Sequence, residues 1–216
     1  MKRLLSLAAL AAGVSTAMAG AASAQTCLGY APFANGPVRV AGDLALADGA
    51  NTFGASIAFG SEKPGLFGGG SFSGTRIDNV DQTAKNLGLS GGFSIPLVSL
   101  PGTELCPVAD YVHSWGPGDN ISGNSIALGG ALGHPFIASP SLTLVPFVDL
   151  RWIHASVHLD TPVGNADGSD NFGSLTLGSG LMFSKTVTLR PAVQIPIAQD
   201  GASSVFLLSL GFSLGK

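Results

Sequence analysis

From Asn86 to Leu97 the chain alternates without a break. Leu87, Leu89, Gly91, Phe93, Ile95 and Leu97 fall on one side, and Asn86, Gly88, Ser90, Gly92, Ser94 and Pro96 on the other. A period of two is the repeat of a β-strand, whose successive side chains point to opposite faces. One face here is aliphatic and aromatic; the other is small and polar. The pattern recurs along most of the chain, and no long window holds the 3.6-residue period of a helix. This repetition limits the fold more than any other feature.

Ten such segments can be read, at 37–47, 51–60, 65–76, 86–97, 104–114, 120–133, 141–156, 171–183, 186–197 and 203–214. In the first, Val38, Val40, Leu44 and Leu46 oppose Arg39, Ala41, Asp43 and Ala45. In the ninth, Val187, Leu189, Val193, Ile195 and Ile197 oppose Thr186, Thr188, Arg190 and Gln194. The third and fifth alternate less cleanly. The seventh changes phase near Ile153, which predicts a β-bulge.

The composition of the two faces selects the environment. A soluble sheet turns a Lys-, Glu- and Thr-rich face to water. Here the non-greasy face is Gly, Ala, Ser and Thr with few charges, which suits the cramped interior of a small barrel. Charged residues are only 11% and hydrophobic ones 45% of the chain, against about 25% charged in a typical soluble domain. No segment after the first two dozen residues has the ~18 consecutive apolar residues of a spanning helix, whereas membrane strands need only ~9–11. These features predict an all-β fold: an antiparallel transmembrane β-barrel of ten strands, with eight as the alternative. A soluble exported β-sandwich is the further alternative.

The N-terminus carries an export pattern. Lys2 and Arg3 precede the apolar stretch Leu4–Val14, and Ala22-Ser23-Ala24 supplies an A-x-A site before Gln25. The expected organisation is a signal peptide at 1–24, cleaved after Ala24, and a barrel domain at 25–216. Its first part, 25–36, is expected as a periplasmic N-terminal segment. Gln25 and Thr26 before Cys27 argue against lipidation. The net charge of −3, with no basic cluster, argues against a nucleic-acid partner.

Connection lengths supply a test of orientation. With both ends in the periplasm, the outer connections are 48–50, 77–85, 115–119, 157–170 and 198–202. This set holds the two longest connections, as outer-membrane barrels require. It also holds Asp48, Asp78, Asp81, Asp119, Asp160, Asp167, Asp170 and Asp200. Cys27 precedes the first strand and Cys106 begins the fifth, so both fall on the periplasmic side. In an exported protein such a pair predicts a disulfide. It would tie 27–36 across the periplasmic mouth as a partial plug and add ~4 kcal/mol by the chain-entropy estimate.

The last strand, Ser203-Ser204-Val205-Phe206-Leu207-Leu208-Ser209-Leu210-Gly211-Phe212-Ser213-Leu214, completes the set. With the export pattern and the alternating segments, it resembles the bacterial outer-membrane β-barrel proteins as a broad class. The departure is Phe212, which is followed by Ser-Leu-Gly-Lys where such strands often end on the aromatic. The resemblance implies location in the cell outer membrane and recognition by the barrel-assembly machinery. It also implies outer-membrane lipid and lipopolysaccharide as neighbours, which the clustered outer acids would meet through divalent cations. Trp115, Trp152 and Tyr111 lie near outer strand ends, where an aromatic girdle is expected.

One stretch carries groups capable of chemistry. Asp149-Leu150-Arg151-Trp152-Ile153-His154-Ala155-Ser156-Val157-His158-Leu159-Asp160 places two His, one Ser and two Asp near the outer end of the seventh strand. A His polarised by a carboxylate can activate a hydroxyl or water. His154-Ala155-Ser156 has the His-x-Ser spacing of the lipid A deacylases, without the residues that usually follow. His158 and Asp160 resemble part of the omptin protease constellation. The competing reading is polar residues where a strand leaves the membrane. Arg39, Asp43, Asp149, Arg151, Arg190 and Gln194 share the non-greasy face and are expected to form a polar network filling the lumen. Asn165-Ala166-Asp167-Gly168-Ser169-Asp170 has calcium-like spacing but lacks the full EF-hand pattern and its closing Glu. No metal or cofactor is therefore expected. The role read from the sequence is non-enzymatic: structural, surface-interaction or narrowly porin-like. The alternative is a lipid-modifying hydrolase using His154 and Ser156, with Asp160 as the acid.

Overall fold

The computed structural model describes residues 26–33, 36–61, 65–78, 83–116, 120–161, 164–183, 186–199 and 201–215. The expected signal peptide lies outside them. Ten strands form the wall: β1 (Val38–Ala47), β2 (Ala50–Gly60), β3 (Leu66–Ile77), β4 (Thr83–Phe93), β5 (Glu104–Trp115), β6 (Ile121–Gly133), β7 (Leu142–Thr161), β8 (Gly164–Phe183), β9 (Val187–Ile197) and β10 (Val205–Leu214). Each pairs antiparallel with the next. β1 then pairs with β10, from Val38 opposite Leu214 to Leu46 opposite Phe206, and the sheet closes. Closure removes both sheet edges. It sets aside the open sandwich and the eight-strand count.

The apolar faces point outward. Leu89 is 58% exposed, Phe72 55% and Leu150 55%, while Ser73, Thr75, Asn86 and Asp149 face inward and are buried. A belt of exposed Leu, Ile, Val and Phe around a polar interior inverts the layout of a soluble barrel. In lipid it satisfies every wall backbone group within the sheet while meeting hydrocarbon with hydrocarbon.

Both ends of the described chain lie at one end of the barrel, here the proximal end. Phe59, Phe93, Phe183 and Phe212 ring its outer surface there, all exposed. Phe53, Tyr111, Trp115, Trp152 and Phe206 ring the opposite, distal end. Two aromatic rings bounding an aliphatic belt mark the two faces of a bilayer.

Three expectations need correction. The fourth strand runs Thr83–Phe93, not 86–97; Ile95–Pro96 is a separate piece pairing with Leu105 and Glu104. The piece keeps the register of β4 against β5, and the break at Ser94 lies beside Pro107 of β5, which has no N–H to donate to the ladder. The connection 157–170 is not a loop. β7 and β8 pair without interruption from Leu142–Phe183 to Thr161–Gly164, as twenty-residue strands. Their distal halves form a hairpin. β8 outruns β9, whose pairing stops at Ile197 opposite Gly173, while β7 stays flanked by β6 up to Leu159 opposite Ile121. Finally, no bulge occurs near Ile153, because the β7–β8 register never shifts. The polarity changes instead of the phase. Below Trp152 the outward residues Leu144, Val148 and Leu150 meet lipid. Above it His154, Ser156 and His158 still point outward, now past the belt. Inside, Ile153, Ala155 and Phe172 pack with Ala127 as a small apolar cluster.

Candidate functional site

Two regions concentrate polar chemistry: the lumen and the distal hairpin. All six lumen candidates point inward. Arg39, Asp43, Asp149, Arg151, Arg190 and Gln194 are between 2% and 8% exposed. They do not make one network.

In the middle of the barrel, Arg151 Nε lies 3.0 and 2.9 Å from the two Asp149 carboxylate oxygens, and its Nη1 pairs with Asp110. The guanidinium thus lies between two carboxylates, with Nη2 in ion contact with Asp149 Oδ2 at 2.7 Å but without a hydrogen bond of its own to a described residue. Asp110 was missed in the sequence reading, although its position between Val108 and Val112 on the inward face of β5 signals it. Asp43 accepts from Ser56 Oγ at 2.9 Å. Gln194 Oε1 finds no hydrogen-bond partner among the described residues.

At the proximal end the arginines hold chain, not carboxylates. The segment Thr26–Phe33 folds into the barrel mouth, beginning with a short 3-10 turn at Thr26–Leu28. Arg190 Nε donates to Leu28 O at 2.7 Å, and Arg39 donates to Ala31 O. The Tyr30 ring lies between them, with the Arg39 and Arg190 guanidinium carbons 4.8 and 5.2 Å from its centroid. Its hydroxyl donates to Ser209 Oγ at 2.9 Å. Cys27 is bonded to Cys106 with Cα atoms 6.0 Å apart, and Thr26 Oγ1 donates to Glu104. Leu28, Tyr30 and Phe33 pack with Ala58, Phe67, Val108 and Ala131 of the wall. The wall yields room through glycine. A Cβ on Gly180 would lie 1.9 Å from Gly29 O, and one on Gly133 would lie 2.3 Å from Thr26 O. Tyr30 lies outside any alternating strand, so the sequence pattern carried no signal for it.

The hairpin brings His154, Ser156 and His158 onto one outward face, but not into one constellation. His154 Nδ1 is 3.0 Å from Asn171 Oδ1, and Ser156 Oγ donates to Asn124 O at 3.4 Å. Neither touches Asp160 or the other. Both carboxylates near His158 engage it instead: Nδ1 is 2.5 Å from Asp167 Oδ1 and Nε2 3.2 Å from Asp160 Oδ1. The hydrogen bond to Asp167 is the main reason its pKa stands above the ordinary 6.5, with the charges of Asp160 and Asp167 adding to it. Asn165, Asp167 and Ser169 project from one side of a paired strand rather than converging as a loop cage would. The one tight His/Cys/Asp/Glu group among the described residues is Cys27, Glu104 and Cys106, and its two sulfurs are spent on the disulfide.

A closed wall, an outward apolar belt and two aromatic rings are now all in place. The chain is a transmembrane β-barrel of the outer-membrane type. No protein-family profile and no curated protein matches it. Among solved structures it is similar to the N-terminal β-barrel domain of Pseudomonas aeruginosa OprF, at 12% identity and a TM-score of 0.43, covering 81% of this chain and 95% of that one. It is also similar to the KdgM porin in complex with disordered oligogalacturonate, at 9% identity and a TM-score of 0.43, covering 82% and 99%. A third is Ail, the attachment invasion locus protein of Yersinia pestis, at 8% identity and a TM-score of 0.37, covering 81% and 91%. At these values the likeness adds nothing to what closure and belt already establish.

Proposed function

We propose that the barrel is a non-conducting outer-membrane scaffold that holds its termini in the periplasm and displays the β7–β8 hairpin outside. The supporting observation is the filled lumen. Thr26–Phe33 occupies the proximal mouth, Arg151 with Asp110 and Asp149 crosses the middle, and Ile153, Ala155 and Phe172 pack the distal part. Ten strands leave little more interior than the side-chain-filled eight-strand barrel. The orientation is supported by the hairpin, which makes the longest projection from the membrane at the end away from the termini. What projects is polar and hydrogen-bonded strand by strand, which suits a rigid contact surface.

Reconstitution in planar bilayers tests the closed lumen. The wild-type protein is expected to give no discrete conductance steps, and regular steps from it would overturn the reading. The hydrolase alternative draws no support from the side-chain geometry, since His154 is engaged by Asn171 and Ser156 by a backbone carbonyl. Its check is the mass of lipid A in a host expressing the protein: a mass change that His154→Ala abolishes would restore it.

A further inference from the structure

Arg76 and Lys85 are the only Lys or Arg side chains among the described residues that point out of the barrel. Arg39, Arg151 and Arg190 face the lumen, where each has the partners given above. Arg76 lies on β3 opposite Thr83, and Lys85 lies two residues further along β4. That makes them diagonal neighbours on one face, a spacing of about 7–8 Å between Cα atoms. Both are exposed, and neither forms an ion pair with a described residue, Asp78 included. Two like charges side by side, with no ion pair to a described acid, raise each other's energy, which an anion meeting both would relieve.

Their depth narrows the candidates. Phe72 and Leu87, further into the belt on the same strands, are exposed to lipid. A cation facing the hydrocarbon midplane is costly, and that cost nearly vanishes near the interface. The two ammonium and guanidinium heads can therefore reach the headgroup layer while their stems lie along the apolar wall. Trp115 on β5 stands directly opposite Lys85, and Ser122 on β6 stands opposite Trp115. His113 holds the indole edge-on, with ring centroids 4.4 Å apart. Two cations beside an immobilised indole and a hydroxyl form a surface for a phosphate carried on a sugar. The guanidinium and ammonium take the phosphate oxygens, and the indole face takes the C–H face of the sugar ring.

We infer that Arg76, Lys85 and Trp115 form a lateral binding site, on the membrane-facing wall, for a phosphorylated glycolipid of the outer leaflet. The inference rests on the orientation proposed above but not on the closed lumen. It is a site for one lipid at a defined place on the wall. It differs from the cation-bridged contact of the outer acids expected from the sequence.

The test is binding of purified full-length protein in detergent, followed by native mass spectrometry. The probes are lipopolysaccharide, enzymatically dephosphorylated lipopolysaccharide and phosphatidylglycerol. The R76Q/K85Q variant is expected to bind lipopolysaccharide at least about tenfold more weakly than wild type, since its charge-assisted hydrogen bonds to phosphate are lost. The R76K/K85R variant should retain binding, and heat-modifiable gel migration confirms that both fold. Equal affinity of R76Q/K85Q and wild type would overturn the site. So would equal binding of the dephosphorylated probe, because phosphate would not then be read. Phosphatidylglycerol binding as tight as the glycolipid would reduce the pair to a general anionic-lipid contact and overturn the assignment. Orientation is read separately, from the accessibility on intact cells of a tag inserted between residues 161 and 164. A failure of that reading is thus distinct from a failure of the site.

Discussion

The proximal and distal halves of this barrel solve the same problem differently. Each must fill a polar tube too narrow to carry bulk water. The proximal half imports a separate piece of chain, Thr26–Phe33, and anchors it by a disulfide, two arginine-to-carbonyl hydrogen bonds and a buried tyrosine. The remainder uses its own wall: an arginine between two aspartates in the middle, then a small apolar cluster at the hairpin base. The proximal filling is thus detachable in principle, whereas the rest can be removed only by altering the strands. The same residue type does both jobs. Arginine at an inward position seeks either carboxylates or the free carbonyls of an inserted segment, and the neighbours decide which.

The disulfide offers the largest test of this contrast. It closes a loop with a sequence separation of 79, for which the chain-entropy model gives ~4–5 kcal/mol. Denaturant unfolding of reduced protein, or of C27S/C106S, in lipid vesicles should show a loss of that size. Amide exchange should rise in 26–33 while the β7–β8 hairpin stays as protected as before. A uniform rise across both would break the distinction between a detachable and an intrinsic filling.

Next in size is Arg151→Ala, which leaves Asp110 and Asp149 buried together without their cation. Removing one partner from a buried ion group costs ~3–5 kcal/mol. R151A is expected to lower stability by that order without loosening 26–33. The triple variant R151A/D110N/D149N should recover much of the loss, because no uncompensated charge then remains.

The smallest effect belongs to the hairpin tip. His158 carries a raised pKa in the folded protein, through Asp167 first and Asp160 second. Its contribution is therefore fully present below the unfolded value near 6.5 and is lost as pH rises through the folded one. Amide protection factors in 157–168 should fall across that rise, and Asp167→Asn should flatten the dependence. The proximal segment should show no matching step, since no histidine touches Thr26–Phe33 among the described contacts. The effect stays small because His158 is exposed and the pair is screened by solvent.

Strand existence was legible in residues such as Leu87, Leu89 and Phe93, because a period of two survives any change in loop or register. Lumen-facing charge was legible for the same reason: Arg39 and Asp43 share parity with Ala41 and Ala45. The hairpin defeated the reading at Ile153. A strand crossing from lipid to water exchanges the polarity of its two faces without changing phase, and in a single sequence that looks like a bulge. The loop assigned to 157–170 failed on related grounds. Its Asn, Asp and Gly residues favour turns locally, but twenty consecutive cross-strand pairs override local preference. His154 and Ser156 were rightly placed on one face, yet a shared face leaves open which neighbour each side chain engages.

The sequence by itself determined that this chain makes an antiparallel barrel with an apolar outside, because alternation and face composition are local and additive along the strand. It also determined that Cys27 and Cys106 lie at the same end, which strand parity settles by counting. The tertiary structure alone decided what the interior groups do. Arg190 meets Leu28 O across 162 residues of chain, and Tyr30 meets Ser209 across 179. Such contacts arise only when the sheet closes and a separate segment enters it, so no period or spacing along the chain encodes them.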